Sequence, residues 1–195
     1  MTLVIVLPAA GASTRMGGRD KLMEDVEGAP LLLRQTRRAL ATGADVLVTA
    51  RADAPARIAA LEGSGARMIP VADPSEGIAA SIRAGVAALS PGTTALMIVL
   101  PDLPDIDTSD MLGIMAAHRA APTRILRAVA ADGTPGHPTL FPAEYFPRLG
   151  RIEGDSGAAR LIAGAGFDSV PLEGARAITD LDTPAAWAAW RARNM

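Results

Sequence analysis

The sequence predicts an α/β fold, a three-layer sandwich with helices on both faces of a mostly parallel, Rossmann-like sheet. Three observations predict it. From residue 3 to about residue 122, short apolar runs alternate with helix-patterned stretches, the rhythm of a parallel sheet with crossover helices. The runs Leu3–Leu7 and Ala95–Leu100 are apolar at every position, as strands buried on both faces are. Beyond residue 122 the runs are separated by turn residues, which predicts a smaller antiparallel part.

Each element follows in order. Leu3–Leu7 is the first strand. Pro30–Leu40 reads as a helix, with proline in its first turn and Gly43 just past its end. Val46–Thr49 is a strand, Ala54–Leu61 a short helix and Met68–Val71 a strand. Gly77–Leu89 places Ile78, Ile82, Val86 and Leu89 at helical spacing. Ala95–Leu100 is the most apolar strand and runs into PDLPD. Ser109–Ala121 is a helix capped by Asp107 or Thr108. Ile125–Ala131 and Thr139–Phe141 flank DGTPGHP and form the expected antiparallel pair. Gly157–Ala165 is a helix. The last helix takes Thr183 as its cap and Pro184 as its first residue. No repeat, low-complexity stretch or linker divides the chain. A single domain over 1–195 is expected, in two parts of about 1–122 and 123–195.

Composition narrows the function. A chain of 195 residues buries enough surface to fold without a staple. It has no cysteine, which excludes a disulfide framework, thiolate metal sites and a cysteine nucleophile. Net charge is -2 and the pI about 5.7, so no broad basic stripe is available for a nucleic acid. No apolar run reaches the roughly 20 residues of a membrane span. Leu3–Leu7 followed by Pro8-Ala9-Ala10 mimics a signal peptide but lacks a basic n-region, so a cytoplasmic location is expected. Aromatic residues make up 3%, so the core must come from Leu, Ile, Val, Met and Ala. Ile78, Ile82, Met97, Met111 and Met115 read as packing residues.

The loop after the first strand carries the chemistry. In LVIVLPAAGASTRMGGRDK, residues 3 to 21, an apolar strand runs into small residues and then two cations. Backbone N–H groups in such a strand-to-helix loop bind small anions. The dinucleotide and Walker fingerprints are both absent. Ala9, Ala10 and Gly11 permit close approach, and Ser13 and Thr14 offer hydroxyls. Arg15 supplies a fork of donors and Lys21 a point charge. Two cations at the end of a first strand point to a polyphosphate. The competing reading is a plain surface turn with solvated cations.

AAGASTRMGGRDK resembles the signature of nucleotidyltransferases with a GT-A-like fold, and within them the MobA-like molybdenum-cofactor cytidylyl- and guanylyltransferases. GIAASIRAG at 77–85, PDLP at 101–104, GHPTLF at 136–141, GDSGAAR at 154–160 and DLDTPAAW at 180–187 are similar to the later motifs. The likeness spans Leu3 to about Trp187. It implies nucleotide binding by the first part of the chain and acceptor binding by the second. The implied reaction is attack of a substrate phosphate on the α-phosphorus of a nucleoside triphosphate, with release of pyrophosphate. An ionised phosphate needs no strong base, so catalysis reduces to positioning and charge neutralisation.

On that resemblance, Lys21 meets the α-phosphate, and Arg15 holds the β- and γ-phosphates. Mg²⁺ is the implied cofactor, and it takes carboxylates, phosphate oxygens and water. Asp102, at the carboxyl end of a parallel strand, is the leading ligand. A second comes from Asp180 or Asp182, with Asp180 favoured. Asp182 reads equally well as a cap of the final helix. Asp105 and Asp107 read as turn and cap residues. Gly77 and Ser81 are expected to line the nucleobase pocket opposite Ala9 and Ala10; helix packing also accounts for Ser81. The Ala10 methyl leaves less room for a purine, which favours CTP. Gly136 and Pro138 shape the acceptor loop, and Phe141 anchors its strand. His137 bonds the acceptor or is structural. Asp155 caps the next helix or binds the acceptor.

Two departures fall on the acceptor side. Ala159 displaces Arg160 by one position, which turns its side chain by about 100°. Leu103 stands where the cytidylyl branch often has glutamine. The leading reading is CMP transfer to a molybdopterin-type cofactor, which also implies delivery to a molybdoenzyme or its chaperone. Guanylyl transfer, or transfer to a sugar or other metabolite phosphate, uses the same chemistry. A glycosyltransferase using DLD at 180–182, or a non-catalytic cofactor-binding protein, are readings of another class.

Overall fold

A computed structural model describes residues 2–154 and 156–194. Nine strands are described: β1 (Thr2–Ala9), β2 (Asp25–Val26), β3 (Ala29–Pro30), β4 (Asp45–Ala50), β5 (Arg67–Pro70), β6 (Thr93–Ile98), β7 (Leu126–Val129), β8 (Pro135–Pro142) and β9 (Asp168–Pro171). The helices are α1 (Leu31–Leu40), α2 (Pro55–Leu61), α3 (Ile78–Ala87), α4 (Thr108–Ala120), α5 (Phe146–Leu149), α6 (Gly157–Ala165) and α7 (Pro184–Asn194).

Seven strands form one sheet in the order β5-β4-β1-β6-β8-β7-β9, and β2 pairs with β3 alone. β5, β4, β1 and β6 are parallel neighbours. β8 runs antiparallel to both β6 and β7, and β9 lies parallel to β7. The sheet is therefore mostly parallel, with its antiparallel insertion where the sequence changes rhythm.

Alternation along β1 sets the layers. Leu3, Ile5 and Leu7 pack with Leu32 of α1 and with Met111 and Ile114 of α4. Val4 and Val6 point the other way, to Ala79 and Ile82 of α3, Leu149 of α5 and Leu161 of α6. Both faces of a strand this apolar must be covered, and they are. Met97, Ile82, Met111 and Phe141 are buried as the sequence requires.

Most ends differ from expectation by one or two residues, but β8 begins at Pro135, four residues before the expected Thr139, and takes in the second half of the expected DGTPGHP loop. Pro30 is extended (φ −53°, ψ 138°) and caps α1 rather than entering it. Gly43 closes the turn after α1 at φ 79°. Asp107 caps α4 in a reciprocal capping box with Asp110. The Thr183 hydroxyl accepts the Ala186 N–H at the start of α7. Three elements were absent from the reading of the sequence. The β2–β3 hairpin turns on Glu27 and Gly28, both at positive φ, without the Asn-Gly signal. β9 has the weak strand sequence DSVP and forms against β7. α5 is one turn long and is fixed by the buried Leu149.

From β1 the chain builds outward through β4 to β5, then returns to lay β6 on the other side of β1. That reversal is a topological switch point, where ligands bind beyond the carboxyl ends of the strands. The loops after β1 and β6 straddle it.

Candidate active site

The loop after β1 is built by anchors on both sides. Met16, in one short turn (Thr14–Met16), is buried among Val26, Leu31, Leu181, Trp187 and Trp190. It pins the loop against α7. Ser13 adopts a left-handed conformation at φ 53°, as do Gly17 and Gly18, a strained position for a serine. Its hydroxyl donates to Asp20 at 3.2 Å and accepts the Lys21 N–H at 3.3 Å.

A residue that sequence reasoning missed holds this arrangement. Arg57 of α2 is 3% exposed. It donates to both Asp20 carboxylate oxygens at 2.7 Å and to the Ala9 carbonyl at 2.5 Å. Burial would raise the Asp20 pKa, but the Arg57 guanidinium and the Leu22 N–H outweigh it and lower it. A faint signal existed: Arg57 precedes the buried Leu61 by one helical turn, so it shares the inward face.

The loop after β6 is braced in the same way. It has no regular structure, so its carbonyls need partners. Gln35 donates to Leu103, Arg34 and Arg38 to Pro104, Arg176 to Asp105, and Arg38 and Gln35 to Ile106. Asp105 accepts from the Trp190 indole at 2.8 Å, and Asp107 caps α4 and pairs with Arg176. Both keep the structural roles expected of them. The Leu181 N–H donates to the Asp102 carbonyl at 3.1 Å, which stitches the 180–182 segment to this loop.

Between the loops lies a cleft of about 430 Å³, lined by Gly11, Arg15, Lys21, Gly77, Ile78, Ser81, Leu100, Asp102, Asp180 and Asp182 among others. Lys21, with a 17% exposed side chain, bridges Asp102 at 2.5 Å and Asp182. Arg15, 69% exposed, also pairs with Asp182. Burial would lower the Lys21 pKa, but the Asp102 and Asp182 carboxylates raise it. For Asp182 burial is overcome by Lys21 and Arg15, and its pKa falls. Asp180 is raised, by burial and by the negative charge of Asp182 and Asp102. One Asp102 oxygen, Oδ1, is buried without a hydrogen-bond partner.

The structure thus gathers Gly11, Arg15, Lys21, Gly77, Ser81, Asp102, Asp180 and Asp182 around one cleft. Gly77, at φ 74° and ψ −155° before α3, takes a backbone conformation open to glycine. Ala9 lies in the core, and Ala10 packs on Val71 and Ala80 behind the cleft. Ser13 faces a second, open cleft beside Asp20 and Arg57. On the acceptor side, a side chain at Gly136 would run into the Ala177 carbonyl. His137 bonds the Ile98 backbone, and burial, helped by Arg127, lowers its pKa to about 4. Arg160 is exposed and bonds the Glu153 carbonyl. Asp155 lies outside the described residues.

Among the described residues no three or more His, Asp or Glu side chains gather as a ready metal cage. A Mg²⁺-type ion needs no such cage, because it takes one or two carboxylates with phosphate and water. Asp102, with its unpartnered oxygen, fits that requirement, and Asp180, the second ligand favoured from the sequence, lines the cleft beside Asp182, which is paired with Lys21 and Arg15. Among the described residues no helix is long and apolar enough to cross a membrane.

Residues 4–170 match the family described as "MobA-like NTP transferase domain". A protein of Natronomonas pharaonis named "Probable molybdenum cofactor guanylyltransferase" is 37% identical over 103 residues, covering 52% of this chain and 50% of that protein. The chain spans about half the length of that curated relative. The crystal structure of Rv0371c from Mycobacterium tuberculosis H37Rv is similar at a TM-score of 0.85 and 27% identity, over 97% of each chain. A structure described as Rv0371C in complex with manganese, from the same organism, is similar at a TM-score of 0.78 and 24% identity, again over 97% of each.

Proposed function

The chain belongs to the MobA-like NTP transferase family, and from that premise we propose that it is a nucleotidyltransferase. It joins a nucleoside monophosphate to a phosphorylated acceptor, in our reading a molybdopterin-type cofactor. The observation that carries this reading is Lys21, held between Asp102 and Asp182 at the rim of a cleft on the switch point.

The step is an in-line displacement. An acceptor phosphate oxygen forms a bond to the α-phosphorus, and the bond from that phosphorus to its bridging oxygen breaks. The electron pair leaves on pyrophosphate. Lys21 faces the α-phosphate, where negative charge is met during transfer. Arg15 is exposed enough to swing from Asp182 onto the outer phosphates. The triphosphate competes for both cations, so their carboxylate partners are freed as it binds. Asp102, with Asp180 or Asp182 as the second carboxylate, would hold a divalent cation, which supplies charge neutralisation on the phosphates. Manganese in the neighbour's description is consistent with a divalent ion, and Mg²⁺ is the ion we propose.

CTP is the proposed donor, from the AAG motif at 9–11, whose Ala10 is packed on Val71 and Ala80 and does not itself line the cleft. GTP is a second reading, favoured by the name of the 37% identical relative. Pyrophosphate release with each nucleotide, Mg²⁺ and molybdopterin tests both. CTP-dependent release is expected; release with GTP alone reverses the base assignment, and release with neither removes the function. Gly136, His137 and Asp155 remain the proposed acceptor contacts.

A further inference from the structure

A polar seam runs through the antiparallel part of the sheet. In the antiparallel pairing, Thr139 of β8 stands opposite Ile98 of β6 and Arg127 of β7. Residues directly opposite share a face, and so do residues two apart along a strand. Arg127 and Thr139 therefore share a face, and His137, beyond a register shift in β8, joins them by bonding the backbone of Ile98, the residue opposite Thr139. Theirs is the face that α3 covers with Ile82, and α3 also sends Ile78 into the cleft.

All three have bonding capacity to spare. The Thr139 residue is 1% exposed, and its hydroxyl has no hydrogen-bond partner. The Nδ1 atom of His137 is buried and equally unpartnered. Arg127 donates through Nε to the Gly136 carbonyl at 2.9 Å and lies 5.7 Å from the Phe167 ring centre. Among the described residues no carboxylate pairs with Arg127. Buried polar atoms without partners are rare because they forfeit their hydration. Here two occur beside an unpaired guanidinium. His137 bonds the backbone of Ile98, the last residue of β6, and the chain runs from there through Leu100 to Asp102 on the cleft wall.

We propose that Arg127, Thr139 and His137 form the site that recognises an anionic group of the acceptor. The inference rests on the nucleotidyl-transfer reading for the identity of its ligand. A guanidinium offers paired donors to a phosphate or carboxylate. The hydroxyl adds one donor to the same anion. A neutral Nδ1 accepts, so the ligand carries an N–H or O–H donor next to its anion. The seam thus selects a phosphorylated molecule with a hydrogen-bonding body.

The test uses inorganic phosphate as the probe and nuclear magnetic resonance as the readout. The nucleotide cleft is first filled with Mg²⁺ and a non-hydrolysable CTP analogue. Phosphate is expected to shift the His137 ring and Gly136 amide signals saturably. Arg127→Met should abolish the shifts, Arg127→Lys should weaken binding, and Thr139→Val should weaken it at least three-fold. Nucleotide affinity should stay within two-fold in each. If the analogue binds but phosphate leaves His137 unmoved, or moves it equally in Arg127→Met, the site is overturned. If the analogue fails to bind while phosphate acts through Arg127, the site stands and the nucleotidyl-transfer reading falls. Should Arg127→Met not fold, unchanged phosphate affinity in Thr139→Val overturns the proposal.

Discussion

The two sides of the cleft are built on opposite terms. On the side of β1 and β6, nearly every group named above is already paired. Lys21 and Arg15 meet Asp102 and Asp182, Arg57 meets Asp20, and three arginines and Gln35 hold the carbonyls after Asp102. On the side of β7 and β8, Arg127, His137 and Thr139 leave capacity open. The first side is a pre-set electrostatic frame that exchanges one set of partners for another. The second waits for partners it does not have. A site of the first kind keeps its geometry without ligand; one of the second gains order and stability when the ligand arrives.

The largest effect should come from emptying the frame. Lys21→Ala is expected to lower turnover about 10³-fold, roughly 4 kcal/mol, in a pyrophosphate-release assay. Full turnover in that variant would remove the electrostatic account. Next comes acid. His137 has a folded pKa of about 4 against about 6.5 unfolded. The unfolded chain then binds more protons, so stability is full above pH 6.5 and is lost as pH falls towards 4. The loss is on the order of 3 kcal/mol by denaturant titration, and His137→Asn should flatten that slope. If it does not, the open side is no more acid-sensitive than the closed one.

Arg57→Met should cost about 2 to 3 kcal/mol of stability, because it strands Asp20. It should also raise the KM for nucleotide more than it lowers kcat. An unchanged KM would separate Arg57 from the loop it braces. The smallest effect is expected from Thr183→Ala, about 1 kcal/mol for a lost cap, read by thermal melting. A larger loss, with loss of turnover, would mean that the cap also aims Asp182.

The same contrast explains what the sequence disclosed. The fully apolar β1 and β6 and the switch between them were legible because both faces of a central strand must be apolar. Arg15, Lys21 and Asp102 were legible because they follow fully apolar strands directly, which puts them at the strands' carboxyl ends, and because the motif around them is recognisable; position alone also allowed a solvated surface turn. Arg57, Arg38 and Arg176 were not. Each meets backbone or side-chain groups tens of residues away, and no periodicity or local spacing records that. β9 and α5 were hidden for a related reason: DSVP and FPRL take their shape from neighbours already in place. Gly136 was read as a loop-shaping residue, while the Ala177 carbonyl that dictates glycine there became visible only in three dimensions.

The stitch from Leu181 to the Asp102 carbonyl has a consequence for biosynthesis. Lys21 and Asp102 are made long before Asp182, and the hydrophobic bed that receives Met16 includes Trp187 and Trp190. A ribosome can therefore complete every strand of the sheet while the charged frame around Lys21 still lacks Asp182. On the proposed reading, turnover would wait for α7 to dock and bring Asp182 to Lys21.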